Sequence, residues 1–167
     1  MAEVRRRLSD DHHAVSEVLK ELLTALNNKD VETSYSKLDL LWARLAVHIR
    51  AEHLHLFPAI ASKLAEAQPV IDRLRADHDF FMRELARAMG ILRELPRDEV
   101  ELAAVGDTIR EIEKRLATHN KIEEDQIYRW SSTVLTESEQ FELLARINAE
   151  LKNRPPRFSQ QAWANCL

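Results

Sequence analysis

Glycine is nearly absent: only Gly90 and Gly106 occur in 167 residues, alongside five prolines. Sandwiches and barrels need frequent turns, and turns draw on Gly and Pro for their backbone conformations. A chain this poor in both has few connections and long helices. Its length fits one domain, with a core large enough to need no covalent staples. The single cysteine, Cys166, can form no internal disulfide and no thiolate metal cage, which fits a reducing compartment.

Helical periodicity places the elements. Leu8, Val15, Leu19, Leu22 and Leu26 recur on one face of a first helix over 3–26, ended by Asn27, Asn28 and Lys29. A second helix is predicted over 31–57, kinked or stopped by Pro58, which lacks a backbone donor. Residues 59–67 continue as a short turn or helix. Pro69 suits the start of a third helix, over 69–94, that tolerates Gly90 and ends at Pro96. A fourth spans 98–128 or a little beyond. Thr136-Glu-Ser-Glu139 reads as a capping box opening a fifth helix to about 151, stopped by Pro155-Pro156. The expected fold is all-α: an up-down antiparallel four-helix bundle over 1–154 with a short fifth C-terminal helix, then a tail over 155–167.

The pattern repeats once. Asp11-His12 opens one half and Asp77-His78 the other. His48-Ile-Arg-Ala-Glu52, then Leu56-Phe57, closes the first; His119-Asn-Lys-Ile-Glu123, then Ile127-Tyr128, closes the second. Each half is a helix hairpin carrying one His, then a His and a Glu four residues apart. Two such hairpins packed together make a pseudo-twofold site.

Residues four apart share a helix face, so each His-x-x-x-Glu can turn a nitrogen and a carboxylate inward together. Imidazole suits iron, zinc, copper and nickel; carboxylate adds hard oxygen and can bridge two cations. One such spacing is weak evidence, since with seven histidines about one match arises by chance. Three occur, the third being His13 with Glu17, and the two that correspond between repeated halves carry more weight. His12, His78 and His119 lie on apolar stripes, with Leu8 and Val15, with Leu74, Phe81 and Met82, and with Leu116. His13 lies with Ser9, Ser16 and Glu17 on a solvated face.

A single inward His is more often a hydrogen-bonded core residue than a ligand. Four inward histidines and two inward glutamates with little else polar beside them need a cation, because burying charge is otherwise costly. His55, seven residues after His48, reads as packing, with a role beside the ligands or as an extra ligand the alternative. His53 reads as packing or surface. Glu124 points about 100° from Glu123 and reads as solvated. Asp11 and Asp77 either orient ligands or favour helix starts. Trp42, Tyr35 and Tyr128 read as packing.

The net charge of −4 comes from 24 basic and 28 acidic residues with no basic face, which argues against nucleic acid. No apolar run reaches the roughly 20 residues needed to span a bilayer, so no membrane association is expected. No apolar segment of a signal peptide follows Met-Ala-Glu-Val-Arg-Arg-Arg, so a cytoplasmic protein is expected.

Ser-Asp-Asp-His12, His48-x-x-x-Glu52 with Leu-Phe-Pro58, Ala-Asp-His78 and His119-x-x-x-Glu123-Glu124 together resemble the hemerythrin-like, HHE cation-binding family. Residues 135–154 also resemble the short C-terminal helix of its bacterial members, so the likeness covers about 5–154. It implies an oxo- or hydroxo-bridged di-iron centre with terminal ligands His12, His48, His78 and His119 and bridging carboxylates Glu52 and Glu123. Zinc or manganese also suits such ligands.

The sequence departs from the family's oxygen carriers. Met82, not His, stands four after His78, and His119 and Glu123 are four apart where the carriers have a His and Asp five apart. Four histidines instead of five leave more open coordination, which argues against reversible oxygen transport. A cysteine-bearing N-terminal segment and additional His, as in the family's iron–sulfur repair proteins, are not found. The resemblance therefore implies a non-haem di-iron protein that binds or reduces dioxygen or nitric oxide, or senses iron or oxygen. A di-iron oxidase or peroxidase, and a metal-stabilised signalling or scaffold module, are the alternatives. The stripe Phe141, Leu144 and Ile147 on the fifth helix packs on the bundle or on a second copy, so a homodimer stays open.

Overall fold

The computed structural model describes residues 3–94 and 99–154. Among them there is no strand. Helix α1 covers Glu3–Asn27 and α2 covers Val31–Ala51, which runs through a π-helical turn, Glu52–Leu56, into α3, Phe57–Ala61. A 3₁₀ turn, Ala65–Ala67, leads to α4, Gln68–Glu94. Helix α5, Glu99–Ile122, runs through a second π-helical turn, Glu123–Ile127, into α6, Tyr128–Val134; α7 is Glu137–Lys152. Pro96, Pro155-Pro156, Cys166 and the tail lie outside the described residues.

Helices α1, α2, α4 and α5 form the bundle. Each packs on its chain neighbour, and α5 closes the ring against α1. Short connections between successive helices make the order up-down-up-down. The connections carry the expected chemistry. Helix α1 ends with Lys29 in the left-handed region, φ 56°, and the Asp30 N–H donates back to the Ala25 carbonyl at 3.0 Å. Asp30 then caps α2, accepting from the Thr33 N–H at 3.0 Å. Thr136 opens α7 with a complete capping box: its hydroxyl accepts from the Glu139 N–H, and Glu139 accepts from the Thr136 N–H at 2.8 Å.

The π turns are the main departure from the sequence reading, in which both helices ran on with regular geometry. Each turn closes from residue i to i−5 and so takes in one extra residue. The Phe57 N–H donates to the Glu52 carbonyl, and the Tyr128 N–H to that of Glu123. Pro58 does not end the helical run. It sits in the first turn of α3, where its missing N–H costs little. The second turn has no proline, so such a turn does not require one.

The apolar interior falls into two clusters. One surrounds Leu22, Leu41, Trp42, Phe81 and Ile112; the other surrounds Leu8, Leu56, Ile60, Leu74 and Ile147. On α1, α2, α4 and α5 buried histidines and glutamates fall where the two clusters meet. Helix α7 covers the second cluster with Leu143, Ile147 and Leu151, while Phe141 stays 75% exposed. The buried stripe of α7 is thus not the expected one, of which only Ile147 is fully inside. No helix among the described residues is long and apolar enough to cross a membrane.

Candidate metal centre

All six residues singled out by spacing come together. His12 from α1, His48 from α2, His78 from α4 and His119 from α5 are buried, and Glu52 and Glu123 open the two π turns with no exposure at all. Each histidine turns Nε2 inward. His12 Nε2 lies 3.0 Å from Glu123 Oε2, and His48 Nε2 lies 3.4 Å from Glu52 Oε1. His119 Nε2 lies 2.9 Å from Glu123 Oε1. His78 Nε2 lies 3.4 Å from Glu52 Oε2 and 3.5 Å from Glu123 Oε1. Each carboxylate therefore presents one oxygen to His12 or His48 and the other to the His78–His119 side.

Two ligand groups result, His12, His48, Glu52 and Glu123 on one side and His78, His119 and Glu123 on the other, each compact enough for one cation. Three observations fit cations here. Glu52 Oε2 and Glu123 Oε1 are buried and make no hydrogen bond. The Nε2 atoms of His78 and His119 face each other at 2.9 Å, where at most one can carry a proton between them. Two fully buried carboxylates beside four imidazoles are costly without a positive partner.

The outward Nδ1 atoms are all engaged. His48 meets Asp11 at 2.9 Å and His119 meets Asp77 at 3.3 Å. His12 meets Glu124 at 3.1 Å, and His78 meets Nε2 of His53 at 2.9 Å. Asp11 and Asp77 thus orient imidazole rings, each reaching the histidine of the next helix. Consecutive residues diverge by about 100° on a helix, which turns an aspartate away from the His that follows it. Arg115 holds Asp77 in place through Oδ1 at 2.6 and 2.8 Å.

One reading, that of Glu124, is corrected, and those of His53 and His55 are narrowed. His53 is buried against His78 and is no surface residue. Glu124 reaches His12 from a half-buried place. His55, read as packing, is half-buried and pairs with Glu150 of α7 at 3.5 Å, not with a histidine or glutamate of the cluster. The widened turns bring Glu124 to the cluster, because angular positions after Glu52 and Glu123 do not follow 100° per residue.

Tyr128 was missed for the same reason. Five residues after Glu123, a regular helix would turn it away; the π turn brings it back over its glutamate. Its hydroxyl donates to Glu52 Oε1 at 2.8 Å and lies 2.9 Å from His12 Nε2 and 3.3 Å from Glu123 Oε2. The place "little else polar" was expected to occupy therefore holds a buried phenol. Its counterpart in the other half is Phe57, stacked on His78 at 6.1 Å between ring centroids. Pairing the halves residue by residue would have flagged both rings.

Charge within the cluster is strongly coupled. Burial works against protonated histidine, but Glu52 and Asp11 lift His48 well above its ordinary value. Glu123 and Asp77 likewise overcome burial and raise His119 to about 9. His78 goes the other way: burial and the nearby His119 lower it. Burial would raise Glu123, yet the surrounding histidines, His119 foremost, hold it well below the carboxylate range. Burial and both glutamates push the Tyr128 phenol well up, so it keeps its proton.

The model of the hemerythrin HHE cation binding domain matches residues 2–131, which contain every residue of this cluster. No curated protein and no solved structure matches the chain.

Proposed function

The chain belongs to the hemerythrin HHE cation-binding domain family, and from that premise we propose that it is a non-haem di-iron protein of the cytoplasm that binds or reduces dioxygen or nitric oxide. The observation that carries this reading is the span of the two carboxylates. Each offers one oxygen to either side of the cluster, the arrangement by which a carboxylate bridges two cations. His12, His48, His78 and His119 would be the terminal ligands and Glu52 and Glu123 the bridges. Four imidazoles and two carboxylates suit iron, and a di-iron centre supplies open positions and electrons for a diatomic ligand.

The chain's own residues shape what can reach the centre. Leu8, Val15, Leu74, Phe81, Met82 and Leu116 flank the ligands and are all buried. Walls of this kind admit a small neutral molecule more readily than a polar organic substrate. Asp11, Asp77, His53 and Glu124 hold the imidazole rings so that Nε2 points inward.

Metal analysis and an absorption spectrum of protein purified aerobically from iron-supplemented cells test the proposal. About two irons per chain with near-ultraviolet charge-transfer bands are expected. One ion per chain, or colourless zinc, would favour a metal-stabilised scaffold. Absence of bound metal would overturn the reading.

An oxidase or peroxidase is the second reading, and Tyr128 favours it. A buried hydroxyl beside both glutamates holds a proton at the ligand cluster, which reduction of oxygen consumes and simple binding does not. Steady oxygen uptake with a reductant would select this reading; return of bound oxygen on evacuation would reject it.

A further inference from the structure

The two halves of the cluster correspond residue by residue: His12 to His78, His48 to His119, Glu52 to Glu123, and Asp11 to Asp77. The residue after each glutamate breaks the correspondence. It is His53 in one half and Glu124 in the other, and both do the same job from opposite sides.

That job has a chemical consequence. An imidazole that ligates a cation through Nε2 carries its proton on Nδ1 and needs an acceptor there. A carboxylate acceptor makes the ring a stronger donor to the metal than a neutral acceptor does. His12 is backed by Glu124 and His48 by Asp11, both carboxylates. On the other side only His119 has a carboxylate behind it, Asp77, and Arg115 sits on Asp77 at 2.6 Å, closer than the 3.9 Å between Arg7 and Asp11, and draws more on its charge. His78 has a neutral ring, His53, which must present a bare Nε2 to accept. A proton on that nitrogen would face the one on His78.

We propose that the two cation positions are unequal, the His12–His48 position binding a divalent metal first and tightly and the His78–His119 position binding second and exchanging, with Glu124 and His53 the positioning residues that set the difference. The inference rests on the two-metal reading above. Loss of such a carboxylate partner changes metal affinity by about 10–100-fold. Glu124 keeps 37% of its side chain in water, which places its effect toward the lower end, about 10-fold. The two dissociation constants should therefore differ by about 10-fold or more.

Calorimetric titration of the metal-free full chain with cobalt(II), followed in parallel by visible absorption, resolves the steps. Two steps are expected in the unsubstituted protein. Glu124→Gln should weaken the first by about 10-fold and close the gap. His53→Glu should tighten the second and leave the first in place. His53→Gln keeps a neutral acceptor and should move neither, which separates a donor effect from general damage to the fold. If His53→Glu does not fold, Glu124→Gln and His53→Gln carry the test alone.

A single step for two equal ions would overturn this inference and leave the two-metal reading intact. So would Glu124→Gln acting on the second step, or on both steps equally. Fewer than two cobalt ions per chain would overturn the two-metal reading itself.

Discussion

Tyr128→Phe removes one oxygen from a fully buried place, and its effect should depend on whether metal is bound. The ring itself has room as phenylalanine, since Phe57 fills the corresponding place in the other half. The hydroxyl donates to Glu52 Oε1 at 2.8 Å, and Glu52 Oε2 makes no hydrogen bond. In metal-free protein the substitution therefore takes the donor from a buried carboxylate whose other oxygen has none. Loss of a hydrogen bond to a charged buried group costs about 1.5–3 kcal/mol. For a domain of this size each kcal/mol is worth about 2–4 °C, so the metal-free Tm should fall by about 3–12 °C. With metal bound, the carboxylate gains a cation and the loss should shrink to about 1 kcal/mol or less. Differential scanning calorimetry on both forms of both proteins measures the contrast. Equal losses in the two forms, or no loss in metal-free protein, would refute the argument.

Other perturbations test separate parts of the structure. Thr136→Ala removes the capping hydroxyl of α7 and should cost about 1 kcal/mol in urea unfolding while metal content stays the same. Phe81→Ala empties a fully buried site whose ring meets His119 edge-on at 5.3 Å; a cost of about 3–5 kcal/mol is expected in the same assay. The pH dependence follows from opposed shifts. His119 is raised to about 9 from 6.5, so its contribution to metal-free stability is complete below about pH 6.5 and drains as pH rises through 9. Glu123 is held well below 4.5, so its contribution is present above that pH and is lost on acidification. The lowering of His78 adds a third effect, taking stability away as pH falls below about 6.5, so metal-free protein should melt highest near pH 6.5. Metal must displace the His119 proton, so affinity measured against a competing chelator should rise from pH 6.5 to 9. Failure of the two curves to run in opposite directions over that interval would contradict the shifts.

Much of the bundle and all six proposed ligands were legible because both rest on a regular repeat. Leu8, His12, Val15 and Leu19 share a face at 100° per residue, and so do His48 and Glu52. What regular periodicity could not give begins where the helix stops being regular. The π turns after Glu52 and Glu123 take in one extra residue each, and no residue type there announces them: one contains two histidines ahead of a proline, the other three acids and no proline. Two assignments made by angle beyond those glutamates consequently fall short: Glu124 reaches His12, and Tyr128 bonds Glu52 as well as packing, whereas Ile127 is inside as expected and His53 takes the buried one of its two readings.

A different reading of the same sequence reaches further, because the halves correspond by position regardless of local helix geometry. His48-x-x-x-Glu52-His53-x-x-x-Phe57 aligns with His119-x-x-x-Glu123-Glu124-x-x-x-Tyr128 without a gap. Identical positions in that alignment mark what the proposed two-metal centre would need: a terminal imidazole and a bridging carboxylate. Positions that differ mark where the two sides are made unlike. A neutral ring faces a carboxylate at the first, and a phenyl faces a phenol at the second. Both differences fall on residues that the π turns bring to the cluster, so the turns that break the helical pattern also carry the chemistry that breaks the symmetry.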